Sequence, residues 1–300
     1  MKTRSVPSPD LGLLGRIVDA TGDLRLIGLM RASFGLIVIV HFWSDLTSER
    51  LPVERFHAPW WSWWPVPDPA TYRLLLWVAV VAGALMIVGV LARAATAAAF
   101  TLVLYLLLVD VGGFAHNRAF LTWMLFGLAL LPDDRAWGVT AWWARRRGER
   151  RDTIGFTWPV VMLRVVASGV YLASGGTKLL DSAWRSGLVV WDRTIRFENS
   201  IPAAFDGRIH ELLTSRWFHR ILSPVAIATE LFLAVALWFP RTRRVALAVA
   251  IAFHVSIEIT ARVQTFSYSA LAALLIWLVP TGIESGSRPE PDPVTSGRAS

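Results

Sequence analysis

The chain has 300 residues, of which 54% are hydrophobic and 17% charged. Soluble domains carry about a quarter charged residues, so this composition, with a mean hydropathy of +0.48, excludes an ordinary soluble domain and points to a polytopic membrane protein. Zero cysteines exclude a disulfide scaffold, an iron–sulfur cluster, a thiolate zinc site and a cysteine nucleophile, and the net charge of +8 has to be read first as membrane orientation rather than nucleic-acid binding.

A membrane-crossing helix needs roughly 20 mostly apolar residues, because the hydrocarbon core is about 30 Å thick and each helical residue rises about 1.5 Å. Eight stretches qualify as candidates: Leu26–Ser44, Tyr72–Leu91, Ala94–Gly112, Ala119–Pro132, Phe156–Gly176, Ile221–Phe239, Val245–Thr260 and Phe266–Pro280. The fourth is short for a full crossing. Residues 1–25 carry Lys2, Arg4 and Arg16 without a compact apolar stretch and small-residue cleavage site, so the first span is expected to remain as an anchor. The expected fold is an all-α polytopic helical membrane bundle. Residues 1–25 form its cytoplasmic N-terminal segment, 26–282 the transmembrane domain and 283–300 a polar, disordered cytoplasmic tail. No internal repeat or second soluble domain is evident.

Eight spans put the N-terminus on one side with Arg93, the run Arg145–Arg151, the cluster Arg241–Arg244 and the C-terminus. The positive-inside rule makes that side cytoplasmic. The opposite side receives Trp60, Trp61, Trp63 and Trp64, the Gly112–Arg118 turn, the long segment Thr177–Arg220 and the turn near Arg262. The arginine runs thus read as topology signals. The tryptophans read as an interfacial aromatic belt, with a ligand lid as the alternative.

Charged groups within spans are costly and tend to face protein or water-filled cavities. Here they are Arg31, Asp110, Arg164, Glu230, His254 and Glu258. Arg31 and Arg164 read as ties between helices, and Glu230 as a bridge to a neighbouring helix. Of thirty Lys plus Arg residues only Lys2 and Lys178 are lysines, so Lys178 is an unexpected choice. It follows Tyr171-Leu172-Ala173-Ser174-Gly175-Gly176-Thr177, which places Ser174 one helical turn back. A partly buried lysine can lose its proton and act as a base, which arginine cannot do; the plainer reading is a lysine that snorkels to the interface. In the seventh span, four-residue spacing puts His254, Glu258 and Arg262 on one stripe, either as a catalytic row or as a ladder tying helices together. One His-x-x-x-Glu pair is too few ligands for a metal. The turn Asp110-Val111-Gly112-Gly113-Phe114-Ala115-His116-Asn117-Arg118 reads first as an ordinary loop. Topology puts Lys178, His116–Arg118 and the outer half of the His254 helix on one side, where they are expected to line one outward-facing pocket.

At these residues the chain resembles the HTTM membrane domain of the vitamin K-dependent gamma-glutamyl carboxylase family. The likeness runs in order over roughly Leu26–Pro280. It includes Arg31-Ala32-Ser33-Phe34-Gly35, the Asp110–Asn117 turn, Leu163-Arg164 with Val170-Tyr171, Lys178-Leu179 with Trp184 and Gly187, Phe253-His254, and Phe266-Ser267-Tyr268. The resemblance implies that Lys178 is the base that deprotonates vitamin K hydroquinone. Oxygen then yields an epoxide and a strong base that takes a proton from the gamma carbon of glutamate before carbon dioxide adds. It implies catalytic roles for Lys178, His254, His116 and Asn117. Reduced menaquinone or vitamin K hydroquinone is expected to lie beside Tyr171, Ser174, Glu258 and Tyr268, with His254 positioning or polarising it and oxygen and carbon dioxide as co-substrates. Two departures limit the transfer. The family turn has its asparagine before the histidine, whereas this chain reads His116-Asn117. The carboxylases also continue into a large lumenal domain, whereas this chain ends about twenty residues after its last expected span, so carboxylation of a propeptide-bearing protein is not implied.

The expected function is a carboxylase-like membrane enzyme, a lyase or oxidoreductase. It would use a quinol lipid and a lysine base in an outward-facing pocket, acting on a small peptide or protein at the outer face. The alternative is a noncatalytic maturation or immunity partner for a secreted peptide. A transporter ranks last, since no repeat of two halves supports alternating access.

Overall fold

The computed structural model describes residues 12–47, 63, 65–109, 116–132, 136–149, 152–198, 201, 205, 207–261, 263 and 265–282. Asp110, the Gly112–Ala115 part of the turn, Trp60, Trp61, Trp64, Arg150, Arg151, Arg262 and the segment 283–300 lie outside the described residues. Within them the fold is all-α with 13 helices. In chain order these are α1 (Gly12–Asp19), α2 (Arg25–Thr47), α3 (Pro69–Val88), α4 (Ala92–Val109), α5 (His116–Leu130), α6 (Val139–Arg146), α7 (Trp158–Leu180), α8 (Ser182–Arg185), α9 (Leu188–Arg196), α10 (Arg208–Thr214), α11 (Arg216–Ala236), α12 (Pro240–Ala261) and α13 (Thr265–Ala273). The last continues as a 3-10 turn over Leu274–Leu278.

Five of them, α2, α3, α4, α7 and α11, are long and apolar enough to cross a membrane, and they coincide with five of the eight expected spans. The other three expected spans also appear as helices, but differently built. α5 has 15 residues, about 22 Å of rise. α12 has 22 residues and begins Pro-Arg-Thr-Arg-Arg, and α13 is a nine-residue helix followed by the 3-10 turn. Leu36, Leu74, Val81, Val165 and Leu172 are more than half exposed on helices whose other faces are buried. Lipid tails solvate such faces, and the helix meets its own backbone hydrogen bonds there.

Helix pairing follows from small residues and constant index sums. A Cβ on Gly35 would lie 2.6 Å from the carbonyl oxygen of Gly83, and one on Gly83 2.7 Å from that of Gly35, so α2 and α3 touch backbone to backbone, as small residues permit between membrane helices. Arg31 reaches Met86 in the same antiparallel register. α7 and α11 are antiparallel likewise: Trp238 donates to Ser168 Oγ at 2.8 Å, and Gly175 admits Leu231 and Glu230.

Two arginines are buried whole. Arg31 is 1% exposed and donates from Nε to the Met86 carbonyl and from Nη2 to the Trp137 carbonyl, both at 2.8 Å. Arg164 is 2% exposed and donates to the carbonyls of Ile276 at 3.2 Å and Val279 at 2.7 Å, with its guanidinium 5.2 Å from the Trp277 ring centre. Met86 lies in the last turn of α3 and Ile276 in the turn that ends α13, where carbonyls lack helical partners. Each arginine therefore completes the end of another helix. At its opposite end α3 is started by Asp68, whose carboxylate accepts from Ala70 N at 2.9 Å, Thr71 N at 3.1 Å and the Thr71 hydroxyl at 2.6 Å.

The sequence patterns do not announce α1, α6 and α8–α10, which are short helices with polar faces. Nor do they announce a two-stranded antiparallel ribbon, β1 (Thr21–Asp23) with β2 (Ile154–Phe156), which pairs Thr21 with Phe156 and Asp23 with Ile154. The ribbon ties residues just ahead of α2 to the entrance of α7.

Candidate functional site

α7 carries Tyr171, Ser174 and Lys178 at intervals of three and four residues, which is one face of a helix. Because Gly175 has no side chain, α11 approaches that face closely: a Cβ there would lie 3.0 Å from Leu231 and 3.3 Å from the Cβ of Glu230. Lys178 Nζ consequently meets Glu230 Oε1 at 2.5 Å, and Ser174 Oγ donates to the same oxygen at 3.1 Å. The pair is largely withdrawn from the surface, the lysine side chain 18% and the glutamate 6% exposed. α8 covers it. The Trp184 ring centre is 4.7 Å from Nζ, and Ser223 Oγ holds that turn by donating to the Trp184 carbonyl at 2.5 Å. Glu230 Oε2 is buried without a hydrogen-bond partner among the described residues.

Two turns down α7, the Tyr171 hydroxyl and His254 Nε2 share a 2.8 Å hydrogen bond. His254 is fully buried, and its Nδ1 has no hydrogen-bond partner among the described residues. Its ring lies 6.0 Å from that of Phe266, which lies 5.9 Å from Phe120. Beside Tyr171 is an apolar cavity lined by Phe120, Ala167, Phe266, Leu274 and Trp277, with room for about one water molecule.

The structure therefore brings Tyr171, Ser174, Lys178 and His254 into one region and distributes the remaining candidates around it. The Tyr268 hydroxyl donates to Glu258 Oε1 at 3.2 Å on an exposed face, with Tyr268 41% exposed; this pair joins α12 to α13. His116 is exposed at the first position of α5. Asn117 Oδ1 accepts from the amide of Arg118 at 2.8 Å, serving the start of its own helix. Phe120, one turn beyond His116, reaches the aromatic set around His254. Among the described residues, no three His, Asp or Glu side chains are grouped as a metal site requires.

Of the partners of Lys178, Trp184 is named with it among the motifs of the resemblance, whereas Glu230 is not. Glu230 stood only as a helix bridge, although a carboxylate in an apolar span is itself a signal. Trp184 sits six residues beyond Lys178, a spacing that means little until the chain turns at Asp181 into α8. His41 in the first span is not among the sequence candidates; its Nδ1 is 3.0 Å from Thr265 Oγ1, and its Nε2 is buried with no hydrogen-bond partner among the described residues.

A family model, the HTTM domain, matches residues 20–281. The chain belongs to the HTTM domain family. That match covers every described element from β1 onward, so the Lys178–Glu230 and Tyr171–His254 pairs are parts of the HTTM domain rather than of an appendage. No curated protein and no solved structure shows a significant match to the chain.

Proposed function

We propose that this HTTM protein is a carboxylase-like membrane enzyme. It uses a reduced quinone, menaquinol or vitamin K hydroquinone, with Lys178 as the base and oxygen and carbon dioxide as co-substrates. One observation carries the reading: Glu230 Oε2 in the Lys178–Glu230 pair, and His254 Nδ1 on the partner of Tyr171 two turns along α7, are buried with no hydrogen-bond partner among the described residues. Buried polar atoms are normally hydrogen-bonded, so the two orphans fit the hydroxyls of a bound ligand. The cavity beside Tyr171 has room for about one water, so a quinol ring requires Phe266 and its neighbours to move apart. The quinol, when bound with oxygen, supplies the strong base that removes the γ-proton of a glutamate. Transfer of the Lys178 ammonium proton to Glu230 would free the amine without changing the net charge of the pair. The amine then has a lone pair at Nζ with which to accept a proton from a ligand hydroxyl, whose oxyanion would balance the ammonium that results while Glu230 keeps the proton it received. Tyr171 holds the His254 ring in place.

The proposal includes eight spans, with both termini in the cytoplasm of an integral cell-membrane protein and Lys178 toward the outer face, where a small peptide or protein substrate would arrive. The chain has no cysteine, so single cysteines report topology cleanly. A cysteine at Arg16 or Arg145 should label only after the membrane is made permeable, and one at Ser186 should label in intact cells. Labelling of all three from outside overturns this topology. The function is tested by binding menaquinol or vitamin K hydroquinone to purified protein without air, admitting oxygen and weighing the quinone by mass spectrometry. Epoxide formed by wild type and lost in Lys178→Arg supports the enzyme. Neither binding nor turnover by folded wild type moves the reading to a noncatalytic partner of a secreted peptide.

A further inference from the structure

The segment that joins α5 to α7 carries a surface that the proposed reaction does not use. α6 is pinned to the end of a membrane-length helix: Gly89, the C-cap of α3, would place a Cβ 2.7 Å from Gly138 Cα. Thr140 Oγ1 donates to the Gly89 carbonyl at 2.7 Å, and the buried Arg31 holds the Trp137 carbonyl. The end of α3 marks one boundary of the apolar bundle, so α6 lies at that boundary. Ala141 and Ala144, 1% and 4% exposed, let it lie close against the bundle.

What it turns outward is specific. Trp142 and Trp143 are 43% and 52% exposed. Arg146 sits over the Trp142 ring at 4.2 Å, and Arg147 over Trp143 at 5.4 Å. Each arginine follows its tryptophan by four residues, one helical turn. Arg145 braces the helix by donating to the Ala136 carbonyl at 3.0 Å. A topology signal needs only positive charge on this side of the membrane. It does not need that charge stacked on exposed indoles along a helix whose other face is fixed. Indole rings settle at the headgroup level, and guanidinium groups bind phosphate with two parallel hydrogen bonds.

We infer that α6 is a binding site for an anionic phospholipid of the surrounding bilayer, with Arg146 and Arg147 on the headgroup phosphate and Trp142 and Trp143 among the upper acyl chains. The inference is independent of the Lys178 chemistry. Two observations select a lipid over a soluble anion: the apolar indoles lie beside the arginines, and the helix stands at the end of α3.

The test is titration of the purified full-length protein in detergent with phosphatidylglycerol or phosphatidylcholine, read by native mass spectrometry. Wild type should prefer phosphatidylglycerol. Arg146→Gln with Arg147→Gln should weaken phosphatidylglycerol about 30-fold, at about fivefold per arginine near the surface, and leave phosphatidylcholine unchanged. Arg241→Gln with Arg244→Gln removes the same charge from the start of α12 and should weaken it less than about threefold. Trp142→Leu with Trp143→Leu keeps charge and apolar area but removes the stacking; it should cost about fivefold and serves if the arginine variant fails to fold. The inference is overturned if the wild type does not distinguish the two lipids. It is also overturned if the two arginine pairs weaken binding equally, since that is generic charge, or if inorganic phosphate alone displaces all bound phosphatidylglycerol, since that is a free-phosphate site.

Discussion

The bundle buries charge in two ways. At one end of α3 and of α13, Arg31 and Arg164 are almost wholly enclosed, and each donates to backbone carbonyls: Arg31 to Met86 at the end of α3 and to Trp137 in the turn before α6, Arg164 to Ile276 and Val279 at the end of α13 and its 3-10 turn. On α7 and α11, Lys178 and Glu230 are closely paired but incompletely satisfied: among the described residues, one carboxylate oxygen and the Nδ1 of His254, which bonds Tyr171 two turns along α7, have no partner. The arginine chemistry suits the first task, because guanidinium stays charged and offers five donors to neutral acceptors. Lysine and glutamate are the residue types that a proton-transfer role would need, since arginine cannot give up its proton. Buried charge in a membrane protein is therefore not a single signal. The bonding of the atoms around it separates a charge that fastens helices from one left open to a ligand.

The sharpest way to break the comparison is Lys178→Arg, which keeps the positive charge beside Glu230 and removes the usable proton. Quinol turnover should fall by roughly 10²- to 10⁴-fold, the usual contribution of a general base, while the folded protein is retained. Turnover that survives would place Lys178 with Arg31 as a fastening. Next in size, Arg31→Met and Arg164→Met should each lower unfolding stability in detergent by about 3 kcal/mol, because buried carbonyls are left without donors. An unchanged unfolding curve would remove the distinction from the other side. Smallest is the exposed control, Asp68. Its bond with Thr71, then its backbone amides, hold this carboxyl below its ordinary value of 3.8. The cap's contribution is therefore complete above that pH and is lost as pH falls through the lowered value. Asp68→Ala should flatten the acid limb of the thermal midpoint measured from about pH 5 downward, leaving the behaviour of both buried sets unaltered.

Hydropathy located α2, α3, α4, α7 and α11 within a few residues, because in hydrocarbon a long apolar run has little choice but to form a helix. It was blind to α6, α8, α9 and α10, whose alternating polar faces resemble loops in a long window, and to the β1–β2 ribbon, whose three-residue strands carry no pattern. Lys178 stood out by residue choice alone in a chain that otherwise uses arginine. His254 and Ser174 stood out by spacing. Glu230 was visible as an intramembrane carboxylate but not as the partner of Lys178, since 52 residues separate them and nothing local to either reports how α7 and α11 align. The stripe His254–Glu258 was drawn as one row, yet the fold buries His254 against Tyr171 and turns Glu258 toward exposed Tyr268.

By itself, then, the sequence determined that the chain is a helical membrane protein, where its longest helices run, and which rare side chains invite a functional reading. These are properties of single segments against their solvent, and composition encodes them directly. The tertiary structure alone decided that Gly175 brings Glu230 to Lys178, that Arg31 and Arg164 complete distant helix ends, and that Glu230 Oε2 and His254 Nδ1 find no partner among the described residues. Those are properties of interfaces, set by the register of antiparallel helices, where a shift of one residue turns a side chain by about 100° and changes every partner it meets.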